Sequence, residues 1–397
     1  MQDNALNIKF NRSDWYIASW CLYYLQGTLY GESSTLSKTL FVVNMGVALF
    51  YVFYVNIRYT VPSYIKGLNW LLSLFVVYGV VLLIDRGPSI VVNGEVFSNS
   101  GYIQPIVLSL CPIYAFYEFA RSGFLTKEKL KFWIVAFFVV TTCSYFYEQQ
   151  KRIMTLLESG SKAAGVTNNA SYVFLGLIPL LIFYRKHLFI QYIALAYCLY
   201  FVVSGMKRGA ILIAVICLCV FIYQSFRQAA SKQKMLLCFL IIALIYIGYM
   251  FISADLMQDT YFQRRLEETI EGQSSGRNEI YSNIWEVYKN SDLFNLIFGF
   301  GANGTMLYTA KFAHSDWLEI LMNQGILGVS VYLFYWCQFY RSWKKTRNDE
   351  IKTALGLLLL ILLIKSVFSM SYASYTFYIN SLLGFCVANL SREENEQ

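Results

Sequence analysis

"TALGLLLLILLIKSVFSM", residues 353–370, decides the fold class. Apart from Lys365 it carries no charge, and its length approaches the roughly 20 residues that an α-helix needs to cross a bilayer. Comparable runs recur along the whole chain. Of its 397 residues, 57% are hydrophobic, 18% aromatic and only 14% charged, and the mean hydropathy is +0.46. A soluble domain carries about a quarter charged residues because its surface faces water; this surface must mostly face lipid. Lys365 is costly in such a run. It either faces a cavity or a partner, or snorkels from a span whose true limits differ.

About twelve candidate spans follow at this length: 14–31, 37–57, 67–85, 103–120, 131–148, 171–184, 188–205, 209–226, 235–254, 315–340, 353–370 and 373–390. The expected architecture is an all-α, polytopic integral membrane protein, with residues 1–397 as one transmembrane domain. Span 171–184 is short, and "YRKH" separates it from the next, so these two read as a tight hairpin. The N-terminus lacks a short apolar core followed by a small-residue cleavage site, and the first run therefore reads as a retained span. The larger share of the 32 lysines and arginines falls on segments that lie inside when the N-terminus is inside. The positive-inside rule then puts both termini in the cytoplasm. The net charge of +8 implies no nucleic acid, because its distribution follows membrane orientation.

The nine cysteines lie within or at the ends of apolar runs, without metal-ligand spacing. They read as small buried hydrophobes, with Cys217 and Cys219 on different helix faces. The longest outer segment, 255–314 between the ninth and tenth spans, exceeds what a plain connector needs. It reads as two short amphipathic helices broken at "GQSSG", with Ile280, Ile284, Val287 and Tyr288 at helical spacing in the second.

Several outer-side residues could carry chemistry. In "SGMKRGA", 204–210, Lys207 and Arg208 occupy a very short turn on the face where basic residues are least expected. The turn is either a solvated loop or an anion site at a helix start, where Gly209 permits close approach. Arginine suits phosphate through its planar fork of donors. Arg277, beside Gly276 at the break between the loop helices, is the best-placed basic residue of a segment that is acidic overall. Arg265 is a further substrate-binding candidate, although it and Arg264 are spaced to pair with Glu268 and Glu267 on a helix surface. His314 precedes the tenth span and is either an interfacial polar residue or a general base. Asp316 and Glu319 follow within two turns; they could orient the histidine, bind substrate or replace it as base. His187, the second histidine, falls in an inner turn, which argues against a histidine metal site. Asp85–Arg86, and Glu148 with Lys151 and Arg152, add polar groups on the outer side.

Three pieces in order, "SGMKRGAIL", "SSGRNEIYSNIWEVYKNSDLFNLIFGFGANG" and "AHSDWLEILMNQGILG", together resemble the O-antigen polymerase and O-antigen ligase superfamily. The likeness covers roughly residues 200 to 335. It departs from the usual pattern at Ser315, where many members carry asparagine, and at Lys207, where a small polar residue is common. The resemblance implies an O-antigen polymerase, a glycosyltransferase at the periplasmic face of the bacterial inner membrane. Its substrate would be undecaprenyl-diphosphate-linked oligosaccharide, with no cofactor and no metal, and a chain-length regulator protein is the partner it allows for. Arg208 and Arg277 would stabilise the diphosphate leaving group, Lys207 would assist, and His314 would be the base. Trp285, Tyr288, Tyr308 and Trp317 would either stack on sugars or form an interfacial belt. Within the same chemistry an O-antigen ligase, transferring glycan to lipid A core, is the alternative. A lipid-linked oligosaccharide flippase is the rival from another class, but it should carry charges along a central path and related halves.

Overall fold

A computed structural model describes residues 10–30, 34–87, 89–92, 95–158, 168–228, 234–239, 241–242, 246 and 277–395. It is helical almost throughout. In chain order the elements are α1 (Arg12–Tyr30), α2 (Thr35–Arg58), α3 (Ser63–Arg86), β1 (Ser89–Val92), β2 (Glu95–Ser98), α4 (Ser100–Leu110), α5 (Pro112–Arg121), α6 (Lys127–Glu158) and α7 (Ala170–Leu175). A 3-10 segment, Ile178–Tyr184, follows. Then come α8 (Leu188–Ser204), α9 (Arg208–Gln228), α10 (Arg277–Lys289), α11 (Leu293–Phe298), α12 (Gly304–Thr309), α13 (Asp316–Lys345), α14 (Asp349–Phe368) and α15 (Phe377–Asn395).

Among the described residues, seven helices are long and apolar enough to cross a membrane: α2, α3, α4 with α5, α6, α9, α13 and α14. The segment Ala170–Tyr184 and α8 are apolar but shorter. Most of the ninth expected span, 235–254, lies outside the described residues, as does the first of the two expected loop helices. Three features differ from the sequence reading. A small antiparallel hairpin pairs Ile90 with Phe97 and Val91 with Val96 between α3 and α4. The span at 103–120 is two helices meeting at Cys111, because Pro112 has no N–H to continue the ladder and suits a first helical position. The long helix α13 is interrupted at Gly325, whose φ of 65° and ψ of −160° are not helical.

Polar caps set helix ends where the chain reverses. Ser34 accepts from the Ser37 N–H at the start of α2, and Asn348 accepts from Glu350 and Ile351 at the start of α14. Each occupies donors that the first helical turn leaves unsatisfied. Aromatic side chains fill the interior. Trp20 stacks on Phe377, with centroids 6.4 Å apart, and Tyr64, Tyr335 and Tyr375 join through their hydroxyls at 3.0 and 3.1 Å. Buried phenols need such partners, since each unpaired polar atom would cost about 1–3 kcal/mol. Cys217 is buried and Cys219 exposed, as their spacing requires. Cys143, Cys238 and Cys337 are also exposed, unlike the expected buried thiols.

The basic end of the bundle is tied by ion pairs. Glu350 holds Arg185 at 3.0 Å and also contacts Lys127; Arg227 reaches Asp349, and Lys129 reaches Asp14. Arg121 lies 3.9 Å over the Tyr59 ring, and Arg392 donates to the Ala120 carbonyl at 2.7 Å. These residues come from starts of some helices and finishes of their antiparallel neighbours, so they share one end.

Candidate active site

The opposite end is hollow. A cavity of about 1240 Å³ is walled by the last turns of α1, the second half of α6, the starts of α7, α9 and α10, the end of α14 and the start of α15. Its lining includes Lys207, Arg208, Arg277, His314 and Lys365, with Glu148 as the carboxylate.

Close packing against α7 sets Lys207 and Arg208. The Asn168 N–H donates to the Gly205 carbonyl at 2.8 Å, and a Cβ on Gly205 would fall 1.8 Å from Ser171 Oγ. A Cβ on Gly209 would fall 2.4 Å from the Tyr172 hydroxyl. Between these glycines Met206 takes a φ of 54°, a conformation disfavoured for a side chain with a Cβ. The turn is thus pressed onto the cavity wall with α9 starting at Arg208.

Arg277 is delivered by an amphipathic helix. On α10, Ile284 and Tyr288 are buried against Ala313 and Met322, with Ile280, Val287, Leu318 and Leu321 packed around them. Burial of that face lays α10 across the first half of α13 and brings its first residue to the cavity.

His314 also has left-handed backbone, with φ of 52°. Its neighbour Ala313 is fully buried and donates its N–H to Glu319 Oε2 at 2.8 Å. Glu319 accepts in addition from the Thr305 hydroxyl and from Asn323 Nδ2 at 3.1 Å. The carboxylate therefore fixes the bend from which the imidazole faces the cavity. Partial burial, then the charges of Arg277 and Lys207, push the His314 pKa below the usual histidine value. The ring is consequently neutral at neutral pH and able to accept a proton.

The glycine-rich stretch 299–304 docks on the interruption in α13. Phe300 and Gly301 donate their N–H groups to the carbonyls of Met322 and Asn323 at 2.9 and 3.0 Å. Gly299 (φ 74°) and Gly325 face each other so closely that a Cβ on either would meet the opposite backbone within 2.6 Å. Breaking the helix frees carbonyls, and the loop supplies their donors. The glycine-rich stretch is thus a joint within the scaffold.

Residues 193–333 match the protein family described as O-antigen ligase. That segment is thus similar to a domain of the O-antigen polymerase and ligase superfamily. No curated protein matches the sequence. The matched segment runs from α8 through α9 and α10 into α13, a little over a third of the chain, and holds Lys207, Arg208, Arg277 and His314. The activity class is that of a membrane enzyme of the polymerase or ligase type.

Of the residues singled out by sequence, these four meet at the cavity together with Glu148 and Lys365, whereas Asp316 and Glu319 do not. Asp316 is fully buried, accepting from the Ser371 N–H at 2.7 Å, the Tyr372 N–H at 3.3 Å and the Tyr332 hydroxyl at 2.6 Å. It ties the start of α13 to the connection between α14 and α15. Glu319 is equally engaged with Thr305, Ala313 and Asn323, so neither carboxylate lines the cavity as a substrate ligand or base would. Arg265 lies outside the described residues. Trp285, Tyr288, Tyr308 and Trp317 are not among the lining residues; Tyr288 donates to the Leu296 carbonyl at 2.6 Å and Trp317 to Ser366 Oγ at 3.1 Å. Aromatic faces come instead from Tyr23, Tyr24, Tyr147, Tyr172, Phe377 and Tyr378. Nothing in local spacing marks these, because they reach the cavity from α1, α6, α7 and α15 only after packing. Among the described residues, no three His, Cys, Asp or Glu side chains gather as a protein metal site requires.

Proposed function

We propose that this protein is a surface-polysaccharide (O-antigen) polymerase. It joins undecaprenyl-diphosphate-linked oligosaccharide units at the periplasmic face of the inner membrane and releases undecaprenyl diphosphate. The observation that carries the reading is the meeting of Arg208, Arg277 and His314, from three separate segments, on the wall of one cavity. A polyprenyl diphosphate stays in the bilayer, so its enzyme needs cations at the end of an apolar bundle. The acceptor hydroxyl oxygen bonds to the anomeric carbon while the bond from that carbon to the diphosphate oxygen breaks. The hydroxyl proton passes to the neutral imidazole of His314, and the arginines stabilise charge developing on the leaving group. The abundance of basic residues at the other end of the bundle supports a cytoplasmic assignment for that end.

An O-antigen ligase is the second reading, and the description of the matched family favours it. The two share a donor and differ in acceptor: another lipid-linked unit, or lipid A core. Deleting the gene in a host without ligase tests the choice. Loss of the lipid-linked ladder supports polymerase, whereas an intact ladder that never reaches lipid A means ligase. A flippase would leave single units on the cytoplasmic face. Arg208→Ala, Arg277→Ala and His314→Ala variants that insert normally but still build a full ladder would overturn the site.

A further inference from the structure

Lys365 plays no part in the chemistry above, yet it opens on the same cavity. It lies in the last turn of α14 at 7% exposure. An ammonium at such depth is costly unless an opposing group is supplied. Its Nζ donates to Ser374 Oγ at 2.6 Å and lies 5.3 Å from the centroid of the Tyr172 ring. Ser374 in turn donates to the Met370 carbonyl at 2.8 Å, which fixes its lone pairs toward the lysine. A lysine has three N–H bonds, so one hydrogen bond and one aromatic face leave capacity directed at the cavity. Asp316 is near enough for its charge to be felt at Lys365. Its oxygens, however, are taken by Ser371, Tyr372 and Tyr332.

Tyr172 joins this lysine to the other cations. Its hydroxyl lies against Gly209, next to Arg208, and the charge of Arg277 is felt at the same phenol. Helices α9, α10 and α14 thus bring Arg208, Arg277 and Lys365 to the wall of one cavity, with Lys365 over the Tyr172 ring. Among the described residues, the lining carries four cationic side chains, Lys207, Arg208, Arg277 and Lys365, against the single carboxylate of Glu148.

We propose that Lys365 is a third cationic ligand of the donor's diphosphate, approaching from the membrane side; this rests on the function proposed above. A glycosyl diphosphate diester is a dianion. When its anomeric C–O bond breaks, the electron pair stays on the phosphate oxygen and adds a negative charge, while the acceptor proton goes to His314. A cation held on the wall of the cavity it shares with Arg208 and Arg277 meets that added charge without reorganising.

The test uses the full-length protein purified in detergent, with undecaprenyl diphosphate and inorganic pyrophosphate as probes. Lys365→Met and Lys365→Gln, the second retaining a donor toward Ser374, are each expected to weaken undecaprenyl diphosphate about tenfold, equivalent to about 1.4 kcal/mol. Lys365→Arg is expected to stay within a few-fold. In turnover, kcat should fall more than KM rises, because the extra charge exists only as the bond breaks. Weakening of both probes supports a phosphate ligand; weakening of neither overturns the proposal. Wild-type binding in Lys365→Met, with loss in Arg208→Ala and Arg277→Ala, leaves the function standing and makes Lys365 a counter-ion to Asp316. Restored thermal stability in a Lys365→Met, Asp316→Asn double variant would mark that outcome. Unchanged binding in all of these variants would overturn the function itself.

Discussion

The two ends of the bundle use the same residue types in opposite ways. At the basic end, Glu350 is shared by Lys127 and Arg185, Asp349 meets Arg227, and Asp14 meets Lys129. At the hollow end, among the described residues, Glu148 is the one carboxylate lining a cavity with four cationic side chains, and Arg152 stands 3.5 Å from it. The nearby carboxylates Asp316 and Glu319 are turned inward to hold backbone N–H groups. A cation beside a fixed carboxylate is a structural tie. Several cations gathered on one cavity wall are positioned for an anion that arrives.

That contrast can be broken by substitution. The largest effect is expected at the hollow end: Arg208→Ala or Arg277→Ala should lower polymer formation by at least about a hundredfold, as removal of one charge-stabilising donor does elsewhere. Glycan ladders read against protein level in the membrane check it. His314→Ala should cost on the order of a hundredfold or more in the same assay.

Asp316→Ala and Glu319→Ala should act differently, by removing acceptors from buried donors. Each is expected to lower stability by about 1–3 kcal/mol, seen as earlier thermal unfolding in detergent. Glu319→Ala should also lower activity, because its carboxylate anchors Ala313 beside His314. Full activity in a stable Glu319→Ala variant would detach it from the base.

The pH profile offers a smaller effect. A base whose pKa lies below the usual histidine value, about 6.5, stays neutral as the pH falls to that lowered value. The acid limb of the rate should therefore lie below about pH 6.5. Lys207 helps to lower that pKa, so Lys207→Ala should move the limb toward higher pH, and an unmoved limb would exclude His314 as the titrating base. The smallest effect belongs to the basic end. Arg227 and Asp349 are half exposed, and Arg227→Ala should cost at most about 1 kcal/mol and leave turnover within about twofold.

Much of the scaffold was legible locally. A run such as 353–370 has to cross lipid whatever surrounds it, because hydrocarbon penalises every unpaired polar group. Ile280, Ile284, Val287 and Tyr288 announced their helix by period alone, and that helix forms as α10. The interruption at Gly325 was not legible, because a lone glycine inside an apolar run does not say whether the helix continues. Loop 299–304 decides it by supplying donors for the freed carbonyls. The small hairpin at 89–98 was likewise passed over among the longer runs.

For the site, the sequence by itself determined which side chains could do chemistry. Arginines next to glycine, and a histidine at the boundary of a span, stood out by residue type and by their side of the membrane. Only tertiary structure decided how they divide. Asp316, Glu319 and His314 lie within six residues of one another, yet two side chains turn into the scaffold and one into the cavity. The left-handed bend at His314 sets it apart from the helix that begins at Asp316. Lys365 shows the same limit: its sequence fixed the cost of burying an ammonium, and the packing of α7 against α9, α14 and α15 fixed where that charge points.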